Sequence, residues 1–289
     1  MILLRGTLKP MSVIRGARER ARTEVTAAIK EEARRQVAAE GATRLSLRAV
    51  ARELGMVSSA LYRYFPSRDD LLTALIIDAY DAIGAAAEQA LAATAPRPSA
   101  GPDKTVAGKA APGTDTSVEP VDPVDRWIAV CRAARDWAVT HPHEYALIYG
   151  SPVPGYTAPD DTIGPASRVG LALVAVARDA HAAGLLGAPQ GRPLAEPVRA
   201  DAGLLAIELA PELPIPSIAA LVAAWAQVFG IVSFEVFGQF NRVVEARGPF
   251  FDQAAAALAA QVGLGMADRE AEDRTTGAAA GSGHDGGSN

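Results

Sequence analysis

Residues 46–72 read SLRAVARELGMVSSALYRYFPSRDDLL, and this stretch decides the fold. Apolar residues recur at helical spacing after Ser46, a residue type that favours the first cap of a helix. Gly55 ends this helix, and a second short helix begins near Val57 or Ser58. Two short helices joined by a tight glycine turn predict a helix-turn-helix, whose second helix enters the major groove of DNA.

The second of these helices separates its apolar residues from its polar ones. Leu61 and Phe65 lie four residues apart and are expected to anchor the helix to the core. This arrangement leaves Ser58, Ser59 and Tyr62 facing outward. Short or amphipathic hydrogen-bonding side chains of this kind suit contacts with base edges and phosphates.

Three further residues extend the predicted DNA-binding surface. Arg48, on the first helix, is long enough to reach a base edge or a phosphate. Ser67 and Arg68 stand where the next helix begins, so that a cation and free backbone N–H groups together favour a phosphate. The alternative interpretation is a helical hairpin in an ordinary all-helical domain, which explains neither the outward arginines nor Tyr62.

The charge of the chain is unevenly distributed. Residues 1–68 contain 14 Lys and Arg against 6 Asp and Glu, a net charge of +8. The rest of the 289 residues contains 14 against 27, a net charge of −13, which gives the total of −5. A basic N-terminal part on an acidic body predicts that only the N-terminal part meets a polyanion.

The stretch LSLRAVARELGMVSSALYRYFPSRDDLL resembles the DNA-binding domain of the TetR family of bacterial transcriptional regulators, over roughly residues 17–75. The resemblance implies that a set of polar residues contacts phosphates: Ser46, Tyr62, Tyr64 and Arg68. It implies that a second set faces base edges: Arg48, Ser58 and Ser59.

Val57 departs from the pattern of the family, whose members usually have Ser or Thr at this position. Either Ser58 replaces the missing cap of the helix, or Val57 makes an apolar contact with the methyl group of a thymine.

The remaining sequence reads as helix almost throughout, so the predicted fold class is all-α. We expect a three-helix DNA-binding domain followed by a larger helical domain for ligand binding and dimerisation. The predicted boundaries are a disordered extension at 1–14, the helix-turn-helix domain at 15–66, the helical domain at 67–264 with a flexible loop at 95–121, and a disordered tail at 265–289. Either Met1 or Met11 is the start of the protein.

The larger domain contains two segments, HPHEYALIYGSPVPGY and WAQVFGIVSFEVFGQF, that resemble an actinobacterial branch of the family's ligand-binding domain. The long helix after Pro216 has a stripe of small residues that would let another helix approach closely, which predicts a dimer interface. The stripe consists of Ala219, Ala223, Ala226, Gly230 and Ser233. Packing within the chain is the alternative. A membrane span over residues 218–238 is disfavoured by Gln227 and Glu235, so a buried helix and no membrane partner are expected.

Large residues on the body helices are expected to line a ligand pocket: Trp127, Trp137, Tyr145, Tyr149 and Phe234. Glu235 binds a polar group of the ligand, is exposed to solvent, or forms a structural ion pair. Cys131 is the single cysteine, which excludes an intrachain disulfide and a cysteine-based zinc site and fits a reducing cytoplasm. The sequence has no nucleophile elbow, phosphate loop or metal-ligand spacing, so we predict no catalytic residue, no metal and no cofactor.

Together these observations predict a cytoplasmic, homodimeric, ligand-responsive transcriptional regulator. We expect a repressor that a small, largely apolar effector releases from a palindromic double-stranded DNA operator. The alternative is a small-molecule-binding helical enzyme or carrier with a vestigial helix-turn-helix.

Overall fold

The computed structural model describes residues 10–95 and 121–265. The helices span α1 Pro10–Glu40, α2 Leu47–Glu53, α3 Ser58–Leu61, α4 Arg68–Ala93, α5 Pro123–Thr140, α6 Pro142–Tyr149, α7 Ile163–Ala182, α8 Glu196–Leu209, α9 Ile215–Val236 and α10 Arg247–Val262. Short 3-10 turns lie at Ala42–Arg44 and Asp160–Thr162. The predicted all-α fold class is confirmed, since the described residues contain helices and a single isolated bridge between Leu186 and Leu264.

The first helix begins within the predicted N-terminal extension and ends before Gly41. Gly41 follows α1 with a φ of 82°, a conformation that glycine adopts without steric cost. α1 begins at Pro10, so residues 10–14, which were predicted to belong to a disordered extension, are helical. Proline is well tolerated there because the first helical N–H has no partner within the helix. Residues 1–9, most of the predicted loop at 95–121 and nearly all of the predicted tail lie outside the described residues.

The chain divides into two compact units. The first unit contains the residues up to Tyr80 together with His141–Pro165, and the second contains Asp81–Thr140 together with the residues from Ala166 onward. The predicted boundary at residue 66 therefore does not coincide with the observed one. The physical reason is packing, because Leu71, Leu72 and Leu75 of α4 are buried in the core of the first unit.

The core of the first unit joins α1, α2, α3 and the first half of α4. Its central side chains are completely buried and belong to different helices: Ile29, Val50, Leu61 and Leu71. The side chains of Leu147 and Tyr156 pack against this core, and Tyr156 Oη lies 2.9 Å from Thr73 Oγ1. An ion-pair cluster braces α1 against α4, because Lys30 Nζ and Arg34 Nη2 lie 2.7 Å and 2.6 Å from the carboxylate of Asp78.

The second unit is built around α5, α9 and α10, which pack against one another, while α8 packs against α9. Trp127, Val232 and Phe251 are almost completely buried in its core. α9 ends at Val236, and Gly238 follows with a φ of 82°. Arg168 on α7 links this helix to α4 within the unit. It donates hydrogen bonds to Asp81 Oδ1 at 2.7 Å and to the two carboxylate oxygens of Glu88 at 2.6 Å and 2.8 Å.

Candidate DNA-binding surface

α2, the first helix of the helix-turn-helix, is capped by the side chain of Ser46. Ser46 has an extended backbone, and its Oγ accepts a hydrogen bond from Ala49 N at 3.4 Å. A side-chain oxygen at this position satisfies one of the N–H groups that the first turn leaves unpaired. α2 buries Leu47, Val50 and Ala51, so the opposite face, which carries Arg48, is exposed.

The turn between α2 and α3 depends on glycine. Gly55 has a φ of 63°, in the left-handed region that side chains rarely adopt. Around it, Gly55 N donates to Arg52 O at 3.1 Å and Met56 N donates to Ala51 O at 2.8 Å. These bonds close the end of α2 and set the direction in which α3 leaves.

The residues of α3 lie where the sequence predicted them. Leu61 is completely buried and Phe65 is 7% exposed, so both anchor the short helix to the core. Ser58 and Ser59 are exposed, and Tyr62 is 42% exposed. The first turn of α3 therefore presents hydroxyl groups outward from a fixed backbone, as contact with a DNA groove requires.

Three arginines on this surface form no ion pair and no side-chain hydrogen bond with the described residues. They are Arg44, Arg48 and Arg63, and all three are exposed. Arg48 was predicted from the sequence to contact DNA, whereas Arg44 and Arg63 were not. Arg44 lies two residues before the cap of α2, and Arg63 lies directly after Tyr62. Their closeness in sequence to predicted DNA contacts could have identified them.

Val57, rather than Ser58, holds the cap position of α3. Its φ and ψ are −71° and 137°, and no side-chain hydrogen bond caps the helix. Ser58 is already the first helical residue, so the expectation that Ser58 replaces the cap is wrong in this structure. Val57 is 70% exposed.

The predicted phosphate site at the start of α4 is already engaged within the protein. Arg68 Nη2 donates to Ala42 O at 2.9 Å, and Arg68 Nη1 lies 3.1 Å from Asp69 Oδ1. Ser67 Oγ accepts from Asp70 N at 3.0 Å and donates to Asp70 Oδ2 at 2.7 Å, which caps α4. A phosphate contact by these two residues remains a prediction.

Tyr64 is half-buried and packs against the core of the first unit, unlike its exposed neighbour Tyr62. Its role as a phosphate contact also remains a prediction, since its hydroxyl group has no described partner that defines its direction.

The residues predicted to line one ligand pocket are divided between the two units. Tyr145 and Tyr149 belong to the first unit, where their rings lie 5.2 Å apart and Tyr149 stands edge-on to Tyr80 at 6.0 Å. Burial raises the pKa of Tyr149, so its hydroxyl group stays protonated at neutral pH. Trp127 is fully buried in the second unit and Trp137 is half-buried there.

Phe234 and Glu235 do not share an environment. Phe234 is 53% exposed, so the expectation that it lines the interior is wrong. Glu235 is 8% exposed, and the guanidinium group of Arg135 donates to both of its carboxylate oxygens at 2.6 Å and 2.7 Å. Glu235 is therefore buried in a structural ion pair, one of the alternatives that the sequence left open, and is not exposed.

The small-residue stripe on α9 faces outward. Ala223, Ala226 and Gly230 are exposed, while Ala219 and Ser233 are half-buried. Large apolar side chains flank the stripe or extend from α8 with substantial exposure: Val222 44%, Trp225 36%, Leu204 70% and Ile207 75%. α9 is therefore not the wholly buried helix that was expected.

α9 is also long and apolar enough to cross a membrane by length and composition alone. Its most apolar window has a mean hydropathy of 1.9, and 39% of that window is buried. Core helices of water-soluble proteins meet the same criterion, so this is weak evidence for a span. The exposed apolar surface of the helix is of the kind that marks an interaction site.

Two protein families match consecutive parts of the chain. The family described as "Bacterial regulatory proteins, tetR family" matches residues 29–75, which contain α2, α3 and the start of α4. The family described as "Tetracyclin repressor-like, C-terminal domain" matches residues 127–258.

Curated relatives cover most of the chain. The HTH-type transcriptional regulators Mb1846 of Mycobacterium bovis and Rv1816 of Mycobacterium tuberculosis are each 40% identical to it over 240 residues, which is 78% of this chain and 86% of the relative. Among solved structures, SCO4313 is 32% identical, with a TM-score of 0.60, over 83% of this chain and 97% of that chain. A Rhodococcus protein of unknown function is 20% identical with a TM-score of 0.54, over 83% of this chain and 95% of that chain, and supports the fold alone.

Proposed function

The chain belongs to the TetR family of bacterial transcriptional regulators, and from that premise we propose that it is a homodimeric repressor with a palindromic operator and a small, largely apolar effector. The observation that carries the DNA-binding part is the exposed surface of the helix-turn-helix. There, Arg48 is exposed and has no ion-pair partner among the described residues, beside the exposed hydroxyl groups of Ser58 and Ser59.

The proposed docking follows from the geometry of the motif. α3 would enter the major groove, with Arg48, Ser58 and Ser59 near base edges and Ser46 and Tyr62 near phosphates. Arg44 and Arg63 would add electrostatic attraction to the backbone. Tyr64, Ser67 and Arg68 would reach phosphates after local rearrangement, because Arg68 is engaged with Ala42 O in the free protein.

A homodimer explains the exposed apolar surface of α8 and α9. Leu204 and Ile207 are more than two-thirds exposed, which is unusual for large aliphatic side chains on a folded surface. The small side chains along α9 would let the same helix of a second copy approach closely, as in a four-helix interface. A dimer places two α3 helices for half-sites about one helical turn, roughly 34 Å, apart.

The effector is proposed to occupy the second unit, where Trp127 and Trp137 would contribute apolar walls. Glu235 is already neutralised by Arg135, so it does not favour a cationic effector. Trp127 Nε1 is buried and has no hydrogen-bond partner among the described residues, so an effector with one acceptor oxygen would satisfy it. Near-complete release would require the effector to prefer the released conformer about 10⁴-fold.

The relatives are transcriptional regulators, which are not enzymes, so the enzyme alternative loses its support. We propose that the protein acts in the cytoplasm, where its operator lies.

Footprinting of the purified full-length protein on the DNA beside its own gene tests the proposal. We expect a protected palindrome and an affinity that falls steeply with salt, because each neutralised phosphate releases a counterion. Reporter expression from that operator should rise when the gene for the protein is deleted. Binding without a palindrome would refute the dimeric docking, and lowered expression on deletion would identify an activator instead of a repressor.

A further inference from the structure

Val57 occupies a position where local physical chemistry favours a different residue. It is the cap residue of α3, with an extended backbone, yet its side chain has no oxygen to accept a hydrogen bond from the first turn. Ser, Thr, Asp and Asn are strongly preferred at this position, and Val is among the poorest choices. Residues that break a local rule without a local gain are expected at functional sites.

Packing does not explain Val57 either. Its side chain is 70% exposed, so it contributes little to the core of the first unit. The neighbouring Met56 does pack against that core. Hydrogen bonds on both sides then fix the backbone, since Met56 N donates to Ala51 O at 2.8 Å and Ala60 N donates to Val57 O at 2.9 Å. The valine is therefore held rigidly and presented to solvent.

The surroundings of Val57 define what it would meet. The exposed side chains that follow it on α3 are hydroxyl-bearing, those of Ser58, Ser59 and Tyr62. Val57 is thus an exposed aliphatic group at the start of α3, the helix that is proposed to enter the groove. Among the groups that base pairs display in the major groove, the 5-methyl group of thymine is the apolar one.

We propose that Val57 reads the 5-methyl group of a thymine in each half-site of the operator and so selects a T·A pair at that position. This inference rests on the proposed function and deepens it, because it names a base that the regulator recognises. The hydroxyl groups beside Val57 would make the polar contacts, and Val57 would lower the affinity for base pairs that present no methyl group to it.

Selection from a random duplex library with the full-length protein supplies the operator on which this is tested. Each thymine is then replaced in turn by deoxyuridine, which removes the 5-methyl group alone. We expect one thymine per half-site to be sensitive, with about a fourfold loss of affinity, the equivalent of one buried methyl group at about 0.8 kcal/mol. Replacement in both half-sites should give about fifteenfold if the two losses are additive.

Two variants assign that effect to Val57. Val57→Ala removes the side-chain methyl groups and leaves the helix as poorly capped as before, so it should bind thymine and uracil operators equally. Val57→Ser restores a cap oxygen, so it should raise the melting temperature of the protein while lowering its affinity for the thymine operator. Val139→Ala, an exposed valine on α5, is the control and should retain the full difference between the two operators.

The outcomes are separable. A selected operator with no sensitive thymine, or a sensitive thymine that Val57→Ala still distinguishes from uracil, would overturn the role of Val57 and leave operator binding intact. Selection of no duplex at all would instead refute the proposed function, and this inference with it.

Discussion

Arg135 on α5 and Glu235 on α9 form a two-point ion pair inside the second unit. Arg135 Nε and Nη2 donate to the two carboxylate oxygens of Glu235 at 2.7 Å and 2.6 Å. The side chains are 14% and 7% exposed, and the guanidinium carbon also lies 5.5 Å from the ring centre of Phe251 on α10. Hydrogen bonding by Glu235 raises the pKa of Arg135, so the guanidinium group stays charged.

Removal of one partner should therefore be strongly destabilising. We expect Glu235→Ala to lower the free energy of unfolding by up to about 3–5 kcal/mol, because it leaves a largely buried guanidinium group with only the exposed carboxylate of Asp136, 3.1 Å from Nη1, as its counter-ion. Denaturant unfolding at a fixed protein concentration measures the loss, since dimerisation makes apparent stability concentration-dependent.

Arg132 and Asp252 provide a matched control, because this pair joins the same helix, α5, to its neighbour α10 but is 49% and 37% exposed. Asp252→Ala should lower the free energy of unfolding by less than about 1 kcal/mol. Equal losses in Glu235→Ala and Asp252→Ala would show that burial of the first pair has no energetic consequence, contrary to this reasoning.

The stability that the ion pair between Arg168 and Glu88 contributes should depend on pH. Arg168 lies against the backbone of α4 at Gly84, where an added Cβ would stand 2.6 Å from Arg168 Cβ, and it donates to both oxygens of Glu88. Its hydrogen bonds lower the pKa of Glu88 below the ordinary value of a glutamate. A carboxyl group with a lowered pKa stabilises the folded state above its unfolded pKa, and this stabilisation is lost as the pH falls through the folded pKa.

The difference in unfolding free energy between the wild type and Glu88→Gln should therefore be constant from pH 7 to about 5 and shrink below about pH 4.3. Thermal and urea unfolding across this range would measure it. Glu245→Gln, at an exposed glutamate without an ion pair among the described residues, is the control and should show no such difference. A difference that grows as the pH falls would contradict the sign.

The recognition part of the fold was predictable from sequence because its signals are local. The turn at Gly55 and the anchors Leu61 and Phe65 all act within a few residues of one another, so periodicity and turn chemistry define them. The engagement of Arg68 with Ala42 O was not predictable, because these residues lie 26 positions apart and meet only through the fold.

The surface of α9 shows a different limit of sequence reasoning. The helix is apolar around most of its circumference, so periodicity does not reveal which face is buried. The dimer interface on the small-residue stripe remains a prediction, whereas Phe234 was expected in the interior and lies 53% exposed. The partner of Glu235 is 100 residues away in sequence, and its type could be anticipated only from the rule that buried charges are paired.

Arg48→Ala should weaken specific DNA binding by about 1–3 kcal/mol, or roughly five- to 150-fold, if Arg48 contacts a base edge. Fluorescence anisotropy with operator and scrambled duplexes at several salt concentrations would measure the loss and its specificity. Arg192→Ala removes the same charge from an exposed position in the second unit and should leave the affinity unchanged. If both variants bind equally well, Arg48 does not contribute to the interface; if they lose affinity equally, the effect is one of net charge alone.

Gly230 offers the cleanest test of the proposed dimer, because the protomer leaves space around it. A Cβ built at Gly230 has no heavy atom within 4 Å outside its own helical neighbourhood, so a larger side chain does not clash within the chain. Leu also favours helix over Gly by up to about 1 kcal/mol. Gly230→Leu should therefore fold with unchanged helicity but prevent the close approach of a second α9. Analytical ultracentrifugation should show a shift from dimer to monomer, and operator affinity should fall because each half-site is then bound separately.

Ala92→Leu, at an exposed position near the end of α4, is the control and should remain dimeric. A dimeric Gly230→Leu variant with wild-type operator affinity would exclude the small-residue face of α9 as the contact between protomers, and Leu204→Glu on α8 would then distinguish an interface built on α8 from one elsewhere.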